Sequence, residues 1–195
     1  MRKDFGPKTW LYPMPVLIIG TYDENGEPDA MNAAYGGIFD DRRIAFYVGR
    51  TYVSQTQENI AKNRAFTISI GTKDTVVISD YVGIVTKMED KKKMDRTGLH
   101  AFKSKFVNAP LFEEFPFTLE CKLVTSDDSC LYRQSGVVIG EIVNVSIDES
   151  ILTNGKVDVK KLQPIAYDPI NNKYILLEEE VATAFSVGKT LIKAL

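Results

Sequence analysis

The sequence predicts a mainly β fold: an antiparallel barrel with a few short helices attached. Three observations lead there. About six runs rich in β-branched and aromatic residues recur along the chain, against two or three stretches with a helical period. Asn-Gly pairs and short polar links join neighbouring runs, which is hairpin spacing. The regular strand–helix alternation of a parallel sheet is missing. With 195 residues, 44% hydrophobic and 26% charged, the chain can form one domain, 1–195, with a substantial core.

The elements follow in order. Residues 15–22 (PVLIIGTY) read as the first strand, and Asp23-Glu24-Asn25-Gly26-Glu27 turns the chain, because Asn and Gly tolerate positive φ. The return strand is expected over 28–39 and a third strand over 43–49. Residues 54–63 take a helical period, with Ser54 as cap and Gln57 completing a capping box. Residues 65–70 are strand again. Residues 74–85 have strand-like β-branched content. A helix is favoured there, because Asp74 can cap one with Val77, Ile78, Tyr81 and Val82 on a single face. The charged stretch 87–105 is expected to carry a short helix over 91–96, stopped by Gly98. Residues 117–125 and 136–147 should pair as an antiparallel ribbon. Asn154-Gly155 is a turn, 174–177 a late strand and 189–195 a terminal helix.

Composition excludes several function classes. The formal net charge of −2 supplies no overall basic field for nucleic acid. No apolar run approaches the roughly 20 residues needed to span a bilayer. The N-terminal residues reach Lys8 and Pro13 before any apolar stretch, and that stretch is strand-like. The expectation is a cytoplasmic chain with no signal peptide and no membrane association. Cys121, Cys130 and His100 are too few for the usual four-ligand zinc site, so no metal is expected. Cys121 lies in an alternating apolar segment and reads as a small core residue. Cys130 lies in a polar loop. A disulfide between the two stays open, although a reducing compartment disfavours it. His100 stands alone, so no catalytic triad is assigned and no catalytic residue is named.

Three segments are candidates for chemistry. Asp29-Ala30-Met31-Asn32-Ala33-Ala34-Tyr35-Gly36-Gly37 is a strand of small residues. Such a strand suits either a flat ligand approaching the backbone or a crowded barrel corner, and the pattern alone favours the corner. Asn32 offers a donor and an acceptor. In Gly49-Arg50-Thr51-Tyr52-Val53-Ser54-Gln55-Thr56, a strand ends, an arginine follows and a helix opens among hydroxyl groups. Free N–H groups and the helix dipole there favour a phosphate, and Arg50, Ser54 and Thr56 add donors. An ordinary N-cap beside a solvated arginine is the plainer alternative. The third segment, Lys87 to Lys105, reads mostly as a solvated face, since Glu89, Asp90 and Asp95 intersperse its bases. No G-x-G-x-x-G follows a strand, so a nicotinamide donor would have to dock on another cofactor.

In this order the segments resemble the flavin reductase-like family, and within it the flavoredoxins most closely. The matching stretches include Pro13-Met14-Pro15-Val16, Gly20-Thr21-Tyr22-Asp23, Met31-Asn32-Ala33-Ala34-Tyr35-Gly36-Gly37, Arg50…Ser54…Asn59-Ile60, Val107-Asn108-Ala109-Pro110 and Ile139-Gly140-Glu141-Ile142. The resemblance implies a split β-barrel, antiparallel and Greek-key-like, that binds flavin mononucleotide (FMN) at the interface of a homodimer. By it, Met31, Asn32, Ala33, Ala34 and Tyr35 line the flavin ring and ribityl chain. Arg50, Tyr52, Ser54, Thr56, Asn59 and Lys93 belong to the phosphate end. Val107 and Asn108 lie near the flavin, from the same or the other subunit. Tyr35 stands where relatives often carry tryptophan, and Thr86-Lys87-Met88-Glu89 replaces a Ser-Gly-Arg/Lys-type tract. The implied activity passes hydride or electrons from NAD(P)H, or from a reductase, through FMN to an acceptor. A non-enzymatic carrier and a barrel without flavin are the alternatives.

Overall fold

The computed structural model of the chain describes residues 1–33, 35–49, 53–124 and 135–194. Its main sheet is built from β2 (Leu17–Tyr22), β3 (Pro28–Ala33), β4 (Gly36–Ile38), β5 (Arg43–Tyr47), β6 (Ala65–Ile70), β9 (Phe117–Leu123) and β10 (Val137–Ile147). These seven strands are antiparallel throughout, in the order β3-β2-β6-β9-β10-β5-β4. Laid flat, seven strands would hold the sheet edges roughly 29 Å apart, at about 4.8 Å per strand. Yet β3 and β4 are those edges, and the three chain steps from Ala33 to Gly36 reach at most about 11 Å. The sheet is therefore curled into a barrel. Among the described residues, β3 and β4 are joined end to end by this short link and share no hydrogen-bonded ladder.

Close packing shapes that junction. A Cβ on Gly36 would stand 2.7 Å from Leu17 Cδ1 and 3.0 Å from Phe46 Cβ, so no larger residue fits where β4 folds over β2. The crowded-corner reading holds at Gly36, whereas Gly37 faces open space. β2 is buried on both faces, which is why it reads as an unbroken apolar run. Leu17 and Ile19 enter the barrel core with Phe46, Phe66 and Cys121. Val16 and Ile18 enter a second core with Val82, Phe112 and Ile165. Each such side chain contributes about 1.5–3 kcal/mol through burial.

The second core lies between the barrel, α2 (Val76–Ile84) and a small sheet of β1 (Met14–Pro15), β13 (Ile165–Asp168) and β14 (Lys173–Leu176). A further hairpin joins β7 (Ala101–Lys103) to β8 (Pro110–Phe112). Residues 152–153 and 156–157 pair as β11 and β12 around the expected Asn154-Gly155 turn, and α3 (Val159–Leu162) follows. α1 (Gln55–Asn63) carries the expected capping box: Gln57 N donates to Ser54 Oγ at 3.3 Å, and Ser54 N donates to Gln57 Oε1 at 2.6 Å. No helix among the described residues is long and apolar enough to cross a membrane.

Several expectations are corrected. The return strand 28–39 is two strands, β3 and β4, because the chain crosses from one sheet edge to the other between them. Residues 74–85 do contain a helix, but Thr75 is its N-cap and Asp74 is not. The Thr75 hydroxyl bonds Thr72 rather than the helix. Residues 91–96 form successive turns instead of a helix. Asp90 accepts from Lys92 N at 3.0 Å, and Lys93 is drawn inward, so the stretch cannot hold a solvated helical face. The terminal helix is a 3-10 helix, Val187–Ala194. The Cys130 loop lies outside the described residues.

Candidate functional site

A cleft with two lobes runs along β3. The smaller lobe, about 180 Å³, is bounded by Asp29 and Met31 of β3, Ser54, Gln55 and Thr56 at the start of α1, residues 82–86 and Lys93. The larger lobe, about 290 Å³, is bounded by Asn32, Ala33 and Tyr35, by Pro15 and Val16, and by Asp80, Tyr167 and Tyr174. Gly83 and Ile84 at the end of α2 line both lobes, so the two are neighbours. β3 is an edge strand, paired among the described residues with β2 alone. About half of its backbone groups are therefore not used by the ladder; of these, Ala30 O is taken by Lys93 Nζ at 2.6 Å and Pro28 O by Lys87 Nζ at 3.3 Å.

The smaller lobe concentrates donors. The N–H groups of Gln55 and Thr56 precede the first intrahelical bonds of α1, so they have no acceptor within the helix and lie at its positive end. Thr56 is a buried residue lining this lobe, and its hydroxyl makes no hydrogen bond among the described residues. Lys93 Nζ donates to Ala30 O at 2.6 Å and stands 3.4 Å from Asp29 Oδ1. Burial pushes the Lys93 pKa down, while Asp29 opposes the shift without cancelling it. Asp29 Oδ1 is buried without a hydrogen bond of its own. Its compensation is the Lys93 ammonium, held as an ion pair rather than a hydrogen bond. The free amides at the positive end of α1 suit a polar, anionic ligand end, while the Lys93 charge in the same lobe is balanced by Asp29.

The larger lobe is flatter and more aromatic. Asn32 Nδ2 donates to Ser79 O at 3.0 Å, which leaves its Oδ1 without a protein partner among the described residues. A Cβ on Gly83 would lie 3.1 Å from Asn32 Cβ, so the close approach of α2 to β3 depends on that glycine. Tyr174 OH donates to Asp80 Oδ1 at 2.8 Å, and Tyr167 packs beside Tyr174 with ring centroids 6.2 Å apart. Tyr35 meets Tyr47 edge-on at 6.3 Å.

Residues 10–169 match the family described as "Flavin reductase like domain". The chain belongs to the flavin reductase-like family. The flavoredoxin of Desulfovibrio vulgaris (Miyazaki F) is 35% identical, with a TM-score of 0.87 over 97% of this chain and 100% of that one. Flavoredoxin from Methanosarcina acetivorans shares the fold, at 23% identity and a TM-score of 0.83 over 98% and 99% of the two chains. The YwrF protein of Bacillus subtilis (strain 168) is 26% identical over 178 residues, 86% of this chain and 85% of that protein. The curled antiparallel sheet with its β3–β4 junction is thus the split barrel of the flavin reductase-like family.

This family member brings most of the expected residues together. Met31, Ser54, Thr56 and Lys93 line the smaller lobe, and Asn32, Ala33 and Tyr35 line the larger one. Ala34, Arg50 and Tyr52 lie outside the described residues. Asn59 is placed elsewhere: its Nδ2 donates to Thr21 Oγ1 at 2.9 Å and pins α1 to β2. Within the single chain, Val107 and Asn108 border a different cavity at the far end of α1, where Asn108 Nδ2 donates to Asn63 Oδ1 at 2.9 Å. His100 is exposed and hydrogen-bonded to Glu114, which raises its pKa. Cys121 is fully buried, and burial pushes its thiol up to about 12. Sequence reading missed Asp29, Asp80, Gly83, Ile84, Tyr167 and Tyr174 as cleft residues. Asp29 sat inside the quoted small-residue segment, and the others carried no local signal.

Proposed function

We propose that the chain is an FMN-binding flavoprotein that passes hydride or electrons from NAD(P)H to an acceptor. The observation that carries this reading is the pair of neighbouring lobes along β3, one with free helix amides at the start of α1 and the other walled by Gly83 and three tyrosines. Ser54, Thr56, Lys93 and the Gln55 and Thr56 amides would hold the phosphomonoester. Asn32, Ala33, Tyr35 and the free edge of β3 would face the ring. The 35% identical flavoredoxin, superposable along its full length, supports the same reading.

When bound, FMN supplies hydride and electron transfer that no side chain here offers. The protein's part is to orient the ring and to keep water from one of its faces. The free N–H groups of β3 can share negative charge that develops on the ring, without reorganising. Exposed apolar residues line the larger lobe, among them Ile84 at 75% and Tyr35 at 43% exposure. They support a second copy of the chain covering this face, as a homodimer.

The absorbance spectrum of the purified protein, followed by anaerobic mixing of the FMN-loaded form with NADH or NADPH, tests the reading. A yellow protein that bleaches with either donor is expected. A yellow protein that bleaches only when a reductase is added is a carrier. A protein that takes up no FMN ends the proposal.

A further inference from the structure

The larger lobe holds a carboxylate to which the flavin reading gives no task. Asp80 lies on α2, and its Oδ1 takes the hydrogen bond from Tyr174 OH across 94 positions of sequence. Among the described residues no lysine, arginine or histidine pairs with it, and its second oxygen has no protein partner. Burial and the neighbouring carboxylate both push the Tyr174 phenol upward, so its hydroxyl stays protonated as the donor that fixes Asp80. Tyr174 is steadied in turn by Tyr167, whose own hydroxyl donates to Asn172 Oδ1 at 2.8 Å. A solvent-exposed carboxylate, anchored by Tyr174 and without a cationic partner among the described residues, thus borders a lobe of about 290 Å³ that Tyr35, Tyr167 and Tyr174 also line.

We propose that Asp80, positioned by Tyr174, is a recognition carboxylate. It selects planar rings that present an N–H donor or a positive charge, and it turns anions away. A ligand N–H aimed at the free oxygen gains a charge-assisted hydrogen bond, whereas a ligand carboxylate meets like charge and loses solvation. Two sources share this chemistry: the imide N–H edge of the flavin ring itself, and the carboxamide of a second ring docking against it. The inference rests on the flavin reading above.

The test uses the whole chain. FMN-loaded protein is titrated with benzamide, benzamidine and benzoate, following flavin absorbance. Apoprotein is titrated with FMN. Both titrations are repeated with Asp80→Ala and Tyr174→Phe, whose folding is checked by circular dichroism. In the native protein, benzamide and benzamidine are expected to bind about tenfold tighter than benzoate. Asp80→Ala should erase that preference if a second ring is the donor. It should instead weaken FMN itself about tenfold if the imide edge is the donor. Tyr174→Phe should move the same quantity in the same direction by a smaller factor, a change that mere loss of packing would not confine to one ligand charge. The inference is overturned if native protein binds benzoate as tightly as benzamide and Asp80→Ala takes up FMN unchanged. Failure of native protein to bind any FMN is a separate result, and it removes the flavin reading together with this one.

Discussion

Lys93 Nζ stands 3.4 Å from Asp29 Oδ1, with both side chains almost wholly enclosed. Lys93 reaches that position from a run of turns, and the pair borders the smaller lobe. Replacing Lys93 by Met would leave the Asp29 charge enclosed without a counter-charge. A loss of about 3–5 kcal/mol is expected in urea denaturation at pH 7. The Asp29→Asn, Lys93→Met double variant should recover part of it, because the orphaned charge is gone too. A single variant as stable as the native protein would show that the pair does not hold this region.

Thr56 lines the lobe assigned to the phosphate, and its hydroxyl has no hydrogen-bond partner among the described residues. Thr56→Val keeps the shape and deletes the donor. FMN affinity should fall about tenfold, while riboflavin, which lacks the phosphate, should bind as before. Fluorescence titration of both ligands separates the cases. Equal losses for the two would assign Thr56 to packing.

Gly36 is limited by Leu17 Cδ1, Phe46 Cβ and the Ala45 carbonyl oxygen. Gly36→Ala pushes a methyl into a filled corner and should cost about 1–3 kcal/mol. Leu17→Ala combined with it should cost less than the sum of the two single changes, since the new methyl then has room. Additive costs would place the strain elsewhere.

Asp168 accepts bonds from Tyr12 OH, from Ile170 N at 2.9 Å and from Asn171 Nδ2 at 2.7 Å. The Tyr12 bond first, then Asn171, hold its pKa near 2, against an ordinary 3.8. A carboxylate with a depressed folded-state pKa stabilises the fold when ionised. That contribution is complete above about pH 4 and disappears as pH falls towards 2. Proteolysis of residues 1–13 should therefore accelerate over that acid window in the native protein. Asp168→Asn should show fast cleavage already at neutral pH and little change on acidification.

The Cys121 thiol is sealed in the barrel core and raised to about 12. Thiolate is the reactive form, so Cys121 should resist a disulfide reagent at pH 8 until urea unfolds the chain. The Cys130→Ser variant isolates this thiol. Rapid labelling of the folded variant would contradict the burial.

Local signals were legible and distant ones were not. The Asn25-Gly26 turn was readable because its backbone demand is local: Gly26 has φ +80, and Tyr22 pairs with Pro28 across the hairpin. The capping box of α1 was readable for the same reason, and it delivered Ser54 and Thr56 to the site. The 91–96 turns were misread because a charged stretch suits a solvated helix, and nothing nearby announces that Lys93 turns inward to Asp29. β13 was missed, as it is only four residues long and, besides its hairpin partner β14, takes its second neighbour from β1 at the far end of the chain. Asp80 and Tyr174 were invisible as cleft residues, since a helix and a strand from separate parts of the sequence have to dock before they meet.

The strand order has a consequence for synthesis. β2, β3 and β6 can assemble once residue 70 has been made, but the inner neighbour of β5 is β10, which begins about ninety residues after Tyr47. Until Val137 leaves the ribosome, β4 and β5 form a two-stranded flap with Ile44 and Phe46 uncovered, and closing so long a loop is entropically slow. Nascent chains halted before that point should offer these two residues to a chaperone. Chains released beyond Ile147 should have withdrawn them.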